Sequence, residues 1–114
     1  MLAFLNGISQ SLDAYLVLSG LLFAIGTFGF LARRNAISML MSIELMLNAV
    51  NLTIVAFGAF VWNADPKTAG MASVIALIVM AVAAAEATVG LAIVMAIYRN
   101  RRTPLVDEYD SMRE

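Results

Sequence analysis

Three long apolar runs, broken at only two places, decide what this chain can fold into. The breaks are Arg33-Arg34-Asn35 and the stretch NADPKT from Asn63 to Thr68, where Asp65-Pro66 is a turn signal. A run of about 20 residues is enough to cross the ~30 Å hydrocarbon core of a bilayer as a helix. Lipid gives backbone N–H and C=O groups no partners, and three segments cannot close a barrel, so the spanning elements must be helices. The hydropathy pattern predicts them over 13–32, 37–62 and 71–98. The expected fold class is an all-α integral membrane protein with three transmembrane helices, a single membrane domain over 1–114 that ends in a polar tail at 99–114.

Composition narrows the chemistry. The 114 residues are 62% hydrophobic and 13% charged, against about 45–50% and about 25% in a soluble domain, which leaves no room for a separate soluble unit. Cysteine and histidine are absent, so disulfide frameworks, haem attachment, thiolate catalysis and most transition-metal sites are excluded. Acid–base work falls to carboxylates. A net charge of -1 without a basic patch gives no support for nucleic-acid binding. The opening MLAFLNGISQ lacks the basic leader and small-residue cleavage pattern of a secretory signal, so the first span is expected to be retained.

Orientation follows from the basic residues. Arg33 and Arg34 follow the first span, and Arg99, Arg101 and Arg102 follow the third, whereas the other side holds only Lys67. The positive-inside rule then puts the N-terminus outside and the C-terminus in the cytoplasm. Pro104 is expected to end the third helix. Tyr15, Trp62 and Tyr98 fall near span ends, as interfacial anchors do. Asp13 suits an N-cap or a first-turn acid.

Two acids stand inside the apolar runs. Glu44 is ten residues beyond Arg34, which at 1.5 Å per residue is roughly 15 Å into the membrane. Glu86 is thirteen residues before Arg99 and fifteen after Met71, roughly 20 Å from either end of a long helix. Insertion of a central acid costs about 2.5–3.5 kcal/mol, whereas each Leu, Ile, Val or Phe returns only about 0.3–0.6 kcal/mol. About ten apolar residues of the second span therefore go to offset one glutamate. Such a helix needs its polar side chains to face protein or water, in a bundle larger than this chain. A carboxyl held in a poor solvent is pushed toward its neutral form until a cation, donors or water favour the charge. It can hold a proton in one surrounding and release it in another, which is what a relay needs; the alternative is a permanently neutral acid that bonds helices together.

Glu44, Asn48 and Asn51 are spaced i, i+4, i+7 and form one polar stripe on the second helix. An asparagine there either glues helices together or orients water and stabilises one protonation state of the acid. Around Glu86, in AVAAAEATVG, Ala83 and Gly90 share its face and permit close backbone approach. No residue of its own helix can partner this carboxyl. The first helix offers the side-chain hydroxyls of Ser19 and Thr27, and its Gly20, Gly26 and Gly29 suggest close packing.

The stretches RRNAISMLMSIELMLNAVNL, residues 33–52, and AAAEATVGLAIVMAIYRNR, residues 83–101, resemble the small three-helix K subunit of respiratory complex I, the family of the mitochondrial 4L subunit and its photosynthetic counterpart. The resemblance covers about residues 15–102. It implies a membrane-arm subunit of proton-pumping NADH:quinone oxidoreductase, between quinone-proximal and antiporter-like subunits. Glu44 and Glu86 match the two membrane glutamates of that family's hydrophilic axis, which relays protons or charge when quinone is reduced. Arg33 and Arg34 match a functionally sensitive loop; read without the resemblance they are ordinary topology determinants. The resemblance further implies that this chain binds no cofactor, with NADH, FMN, iron–sulfur clusters and quinone in other subunits. Its setting would be the cell inner (cytoplasmic) membrane, or a mitochondrial or thylakoid membrane in an organelle or a cyanobacterium; similarity to the photosynthetic form means that ferredoxin rather than NADH could supply the electrons.

The sequence thus points to a translocase subunit without an autonomous active site. A C-type subunit of a multi-subunit cation/proton antiporter ranks second, because its pattern lacks the paired midplane acids. A relative in a membrane-bound hydrogenase and a purely structural spacer rank after it.

Overall fold

The computed structural model describes residues 1–101 and residue 106, except for the side chains of residues 8, 9 and 101. Its elements are α1 (Leu2–Ser9), α2 (Leu12–Ala32), α3 (Ala36–Phe60), a 3-10 turn (Trp62–Ala64) and α4 (Met71–Arg101). Helices α2, α3 and α4 are long and apolar enough to cross a membrane. The chain is accordingly the helical, three-span membrane protein that its apolar runs require. Pro104, expected to end the third span, lies outside the described residues.

Local chemistry explains the boundaries. Ser11 begins α2 by accepting the Ala14 amide on its hydroxyl at 3.4 Å, so Asp13 is a first-turn acid and not the cap. The separate helix α1 precedes the span expected at 13–32, and the hydropathy pattern does not mark it as an element of its own. Asn35 turns the α2–α3 junction into a helix start, since its side-chain oxygen accepts the amides of Ile37 at 2.9 Å and Ser38 at 3.5 Å. Between α3 and α4, the Asp65 carboxylate accepts the Lys67 amide at 2.9 Å, and the Thr68 hydroxyl donates to the Trp62 carbonyl at 2.7 Å. Gly70 closes the turn at φ 83°, a conformation that costs glycine nothing. Helix α4 has 31 residues, about 46 Å at 1.5 Å each, so it overruns a ~30 Å core.

Helix α3 is the middle member and packs along both α2 and α4, which barely meet each other among the described residues. On the α2 side, Ser19 donates to the Ala49 carbonyl at 2.6 Å and pairs with the Thr53 hydroxyl at 2.5 Å, and Ala49 is 1% exposed. Farther along, a side-chain carbon on Gly26 would lie 2.7 Å from Met46 Cγ and 3.0 Å from the Ser42 carbonyl, and one on Gly29 would lie 2.7 Å from Ser42 Oγ. Gly20 departs from the expectation of close packing: it is exposed, with open space where a Cβ would go, because it faces away from α3. Tyr15 stacks at 5.7 Å on Phe60, so it ties the start of α2 to the end of α3.

On the α4 side the contacts are smaller still. A Cβ on Gly58 would overlap the Ala72 methyl, Asn51 Nδ2 donates to the Ala76 carbonyl at 3.4 Å, and the Leu40 side chain lies over Gly90. Small residues at helix crossings allow the backbone approach that replaces a hydrophobic drive in lipid. Even so, only 11%, 22% and 11% of the three spans are buried inside the chain, so most of their surface is left for lipid or other protein.

The glycine contacts give an asymmetric prediction. Gly58→Ala places a methyl on Ala72 and is expected to destabilise by about 1–3 kcal/mol, as overpacking does. Gly20→Ala meets open space and is expected to change stability by no more than about 0.5 kcal/mol, or to raise it slightly by helix propensity. Thermal unfolding of the purified protein in detergent checks both, and equal effects would contradict the packing described.

Candidate functional site

The antiparallel register of α3 and α4 brings the two acids to one level. Leu40 lies against Gly90, Asn51 against Ala76 and Gly58 against Ala72. One turn along α3 from Leu40 is Glu44, and one turn back along α4 from Gly90 is Glu86. Because antiparallel helices rise equally per residue, the two carboxyls share a depth, as their separate positions along the sequence suggest.

Their directions differ. The face of α4 turned to α3 carries Ala72, Ala76 and Ala83, all buried, together with Gly90. At 100° per residue, Glu86 and Ala87 straddle that stripe, each about 50° to one side. Glu44 is half-buried in a groove of about 410 Å³ that it shares with Leu40, Asn48, Ala87 and Leu91. Glu86 is exposed and lines a different groove of about 470 Å³ with Ala85, Val89, Gly90 and Ile93. The acids thus open on opposite flanks of the α3–α4 seam. Either groove has room for several water molecules at about 30 Å³ each.

Neither carboxyl takes a hydrogen bond from any described residue, and no described basic side chain forms an ion pair with either. The Thr88 hydroxyl, two residues from Glu86, donates instead to the Ala84 carbonyl at 2.7 Å. Ser19 is taken by Ala49 and Thr53, and Thr27 donates to the Phe23 carbonyl at 2.9 Å with Met46 Sδ at 3.4 Å. The first span therefore supplies nothing to the acids.

The polar stripe of α3 divides into two roles. Asn48 is exposed and lines the groove of Glu44. Asn51 is 9% exposed and turned into α4, where its amide nitrogen reaches Ala76; its Oδ1 is buried and finds no donor among the described residues. The i, i+4, i+7 spacing identifies a common face, but the curvature of that face toward α4 is a matter of how the two helices cross.

Arg33 and Arg34 sit in the short junction before α3, both exposed. Arg33 lines a groove with Gly29, Ser38 and Ser42, and the Arg34 carbonyl accepts the Val106 amide at 2.9 Å. They lie at the basic end of the bundle, away from the acids by the length of the intervening α3 turns. The structure adds two residues that sequence reasoning did not single out: Asn35 as the α3 cap, and Leu40 as the side chain seated on Gly90 at the α3–α4 seam. The Arg-Arg-Asn break followed by an apolar run was a capping signal for the first; nothing in the one-dimensional pattern distinguishes Leu40 from its neighbours.

The sequence profile of the family NADH-ubiquinone/plastoquinone oxidoreductase chain 4L matches residues 14–114, which takes in the tail beyond the motifs. NADH-quinone oxidoreductase subunit K of Geobacillus sp. (strain WCH70) is 53% identical over 105 residues, covering 92% of this chain and 97% of that protein. The protein of the same name from Desulfitobacterium hafniense (strain DSM 10664 / DCB-2) is 50% identical over 107 residues, 93% of this chain and 97% of its own length. That from Bacillus cereus (strain AH187) is 53% identical over 101 residues, 89% of this chain and 93% of its own length.

The two asparagines should separate experimentally. Asn51→Ala removes an interhelical bond and is expected to lower stability by up to about 2 kcal/mol. Asn48→Ala removes no hydrogen bond to any described residue and should stay within about 0.5 kcal/mol. Thermal unfolding in detergent reads both, and a larger loss for Asn48→Ala would reverse the assignment of roles.

Proposed function

From the premise that this chain belongs to the chain 4L (subunit K) family, and so is a membrane subunit of NADH-quinone oxidoreductase, we propose that Glu44 and Glu86 are its proton-exchanging groups. The observation that carries this reading is their placement: equal depth on adjacent antiparallel helices, each opening to its own groove and bonded to nothing within the described chain. A carboxyl in an apolar medium must have its hydrogen bonds met by something, and here that something is water or a neighbouring subunit.

The chemistry is proton transfer without covalent catalysis. Each carboxyl exchanges its proton with water or with a group of an adjacent subunit that enters its groove. Quinone reduction elsewhere in the complex alters those surroundings, and the subunit passes protons or charge along the arm. Because the grooves open on opposite flanks, each is left for a different neighbour, one quinone-proximal and one antiporter-like. Asn48 orients water beside Glu44, and Asn51 holds α3 to α4. The redox groups, NADH, FMN, iron–sulfur clusters and quinone, belong to other subunits.

The same reading puts the basic ends, with Arg33, Arg34 and Arg99, in the cytoplasm and the Lys67 turn outside, in the cytoplasmic membrane of a bacterium. Arg33 and Arg34 set this orientation and form the cytoplasmic junction that neighbouring subunits contact.

Glu44→Gln and Glu86→Gln test the proposal, since the amide keeps the shape and loses the exchangeable acid. In the assembled complex in proteoliposomes, either change is expected to lower proton pumping by about tenfold or more, equivalent to about 1.4 kcal/mol on the limiting step, with normal assembly. Wild-type pumping in both variants would leave a spacer, with two neutral acids serving only to join helices.

A further inference from the structure

The Glu44 and Glu86 grooves are each lined by one member of a single α3–α4 contact. Leu40 lines the groove of Glu44, Gly90 lines the groove of Glu86, and the two residues touch. A Cβ built on Gly90 would lie 2.9 Å from Leu40 Cδ2, 3.6 Å from Cδ1 and 3.9 Å from Cγ, so the whole end of the leucine covers the bare α-carbon. The contact is one helical turn from each acid, on the side of the basic ends.

Elsewhere along the seam the helices meet through Ala76, Ala83 and the Gly58–Ala72 contact. The alanines and the glycine there have no side chain that can turn aside, and the Asn51 side chain is held by its hydrogen bond to the Ala76 carbonyl. At Leu40 a change between staggered rotamers is enough to open the contact. An apolar constriction of this kind excludes water when closed and admits it when the side chain leaves, which is how hydrophobic gates work.

We infer that Leu40, seated on Gly90, is an apolar partition that keeps the Glu44 and Glu86 grooves from sharing water, and that its displacement joins them. The inference rests on the proton-exchange reading of the two acids. With the partition shut, the carboxyls equilibrate with separate surroundings, and coupling requires that separation. Glycine at position 90 is then a space for the leucine to occupy, beyond its use as a small residue at a helix crossing.

The test is made on the assembled complex in proteoliposomes, with the Leu40→Ala and Leu40→Met variants. Leu40→Ala removes the covering atoms, and the protons moved per electron delivered to quinone are expected to fall severalfold while electron transfer to quinone stays near wild type. Leu40→Met, which refills the volume with an apolar chain, is expected to restore the ratio. If Leu40→Ala fails to assemble, Leu40→Val, which lacks the two terminal methyl positions on Gly90, is read in the same way. A wild-type ratio in the shortened variant overturns the partition, as does a parallel loss of pumping and electron transfer that leaves the ratio unchanged. Glu44→Gln and Glu86→Gln in the same assay keep the two questions apart, because normal pumping in both ends the relay itself, whereas impaired pumping in either with a wild-type ratio for Leu40→Ala ends the partition alone.

Discussion

Helices in lipid have no hydrophobic reason to associate, and the close contacts that α3 makes with both neighbours are what hold this chain together. On one side it meets α2 through Gly26, Gly29 and the Ser19–Thr53–Ala49 hydroxyl cluster. On the other it meets α4 through Gly58 against Ala72 and Gly90 under Leu40. Two hydroxyl protons serve three contacts in the cluster, which satisfies polar atoms that the apolar phase would otherwise leave bare. The register set by these contacts also determines where the acids stand, since sliding α4 by one turn would move Glu86 by about 5.4 Å relative to Glu44.

That arrangement leaves the chain incomplete as a membrane protein. Its spans bury little within the subunit, and both carboxyls look outward from the seam. That fits membership of the subunit K family of NADH-quinone oxidoreductase, a complex of several subunits. On the proton-exchange reading proposed above, acids without partners inside the chain are an advantage. A carboxyl tied to a donor on its own helix would have one charge state permanently favoured, whereas one that faces a groove responds to what enters it.

The polar residues of α3 show how one face serves two purposes. Asn51 donates a hydrogen bond from its amide nitrogen to α4 across the crossing, while its buried oxygen is left without a donor among the described residues. Asn48, one turn nearer the acid, contributes nothing to that crossing and lies in the groove. At the basic end, Asn35 starts α3 and so sets the phase in which Leu40, Glu44 and Asn48 are presented, while Arg33 and Arg34 lie just outside the helix.

Much of this was legible in one dimension. Length, apolar runs and two polar breaks required three spanning helices, and the motifs around Glu44 and Glu86 pointed to the family and to both acids at mid-depth, because depth along a helix is linear in residue number. The short α1 and the outward turn of Gly20 were not apparent, since a run of apolar residues does not say where a helix pauses or which side faces its neighbour. Only the tertiary structure decided that the acids lie on opposite flanks of one seam, that Asn51 turns inward while Asn48 does not, and that Leu40 lies on Gly90. The reason is that hydropathy in a membrane span is nearly the same all round the helix, so direction about its axis comes from contacts with other helices and from nothing within the segment itself.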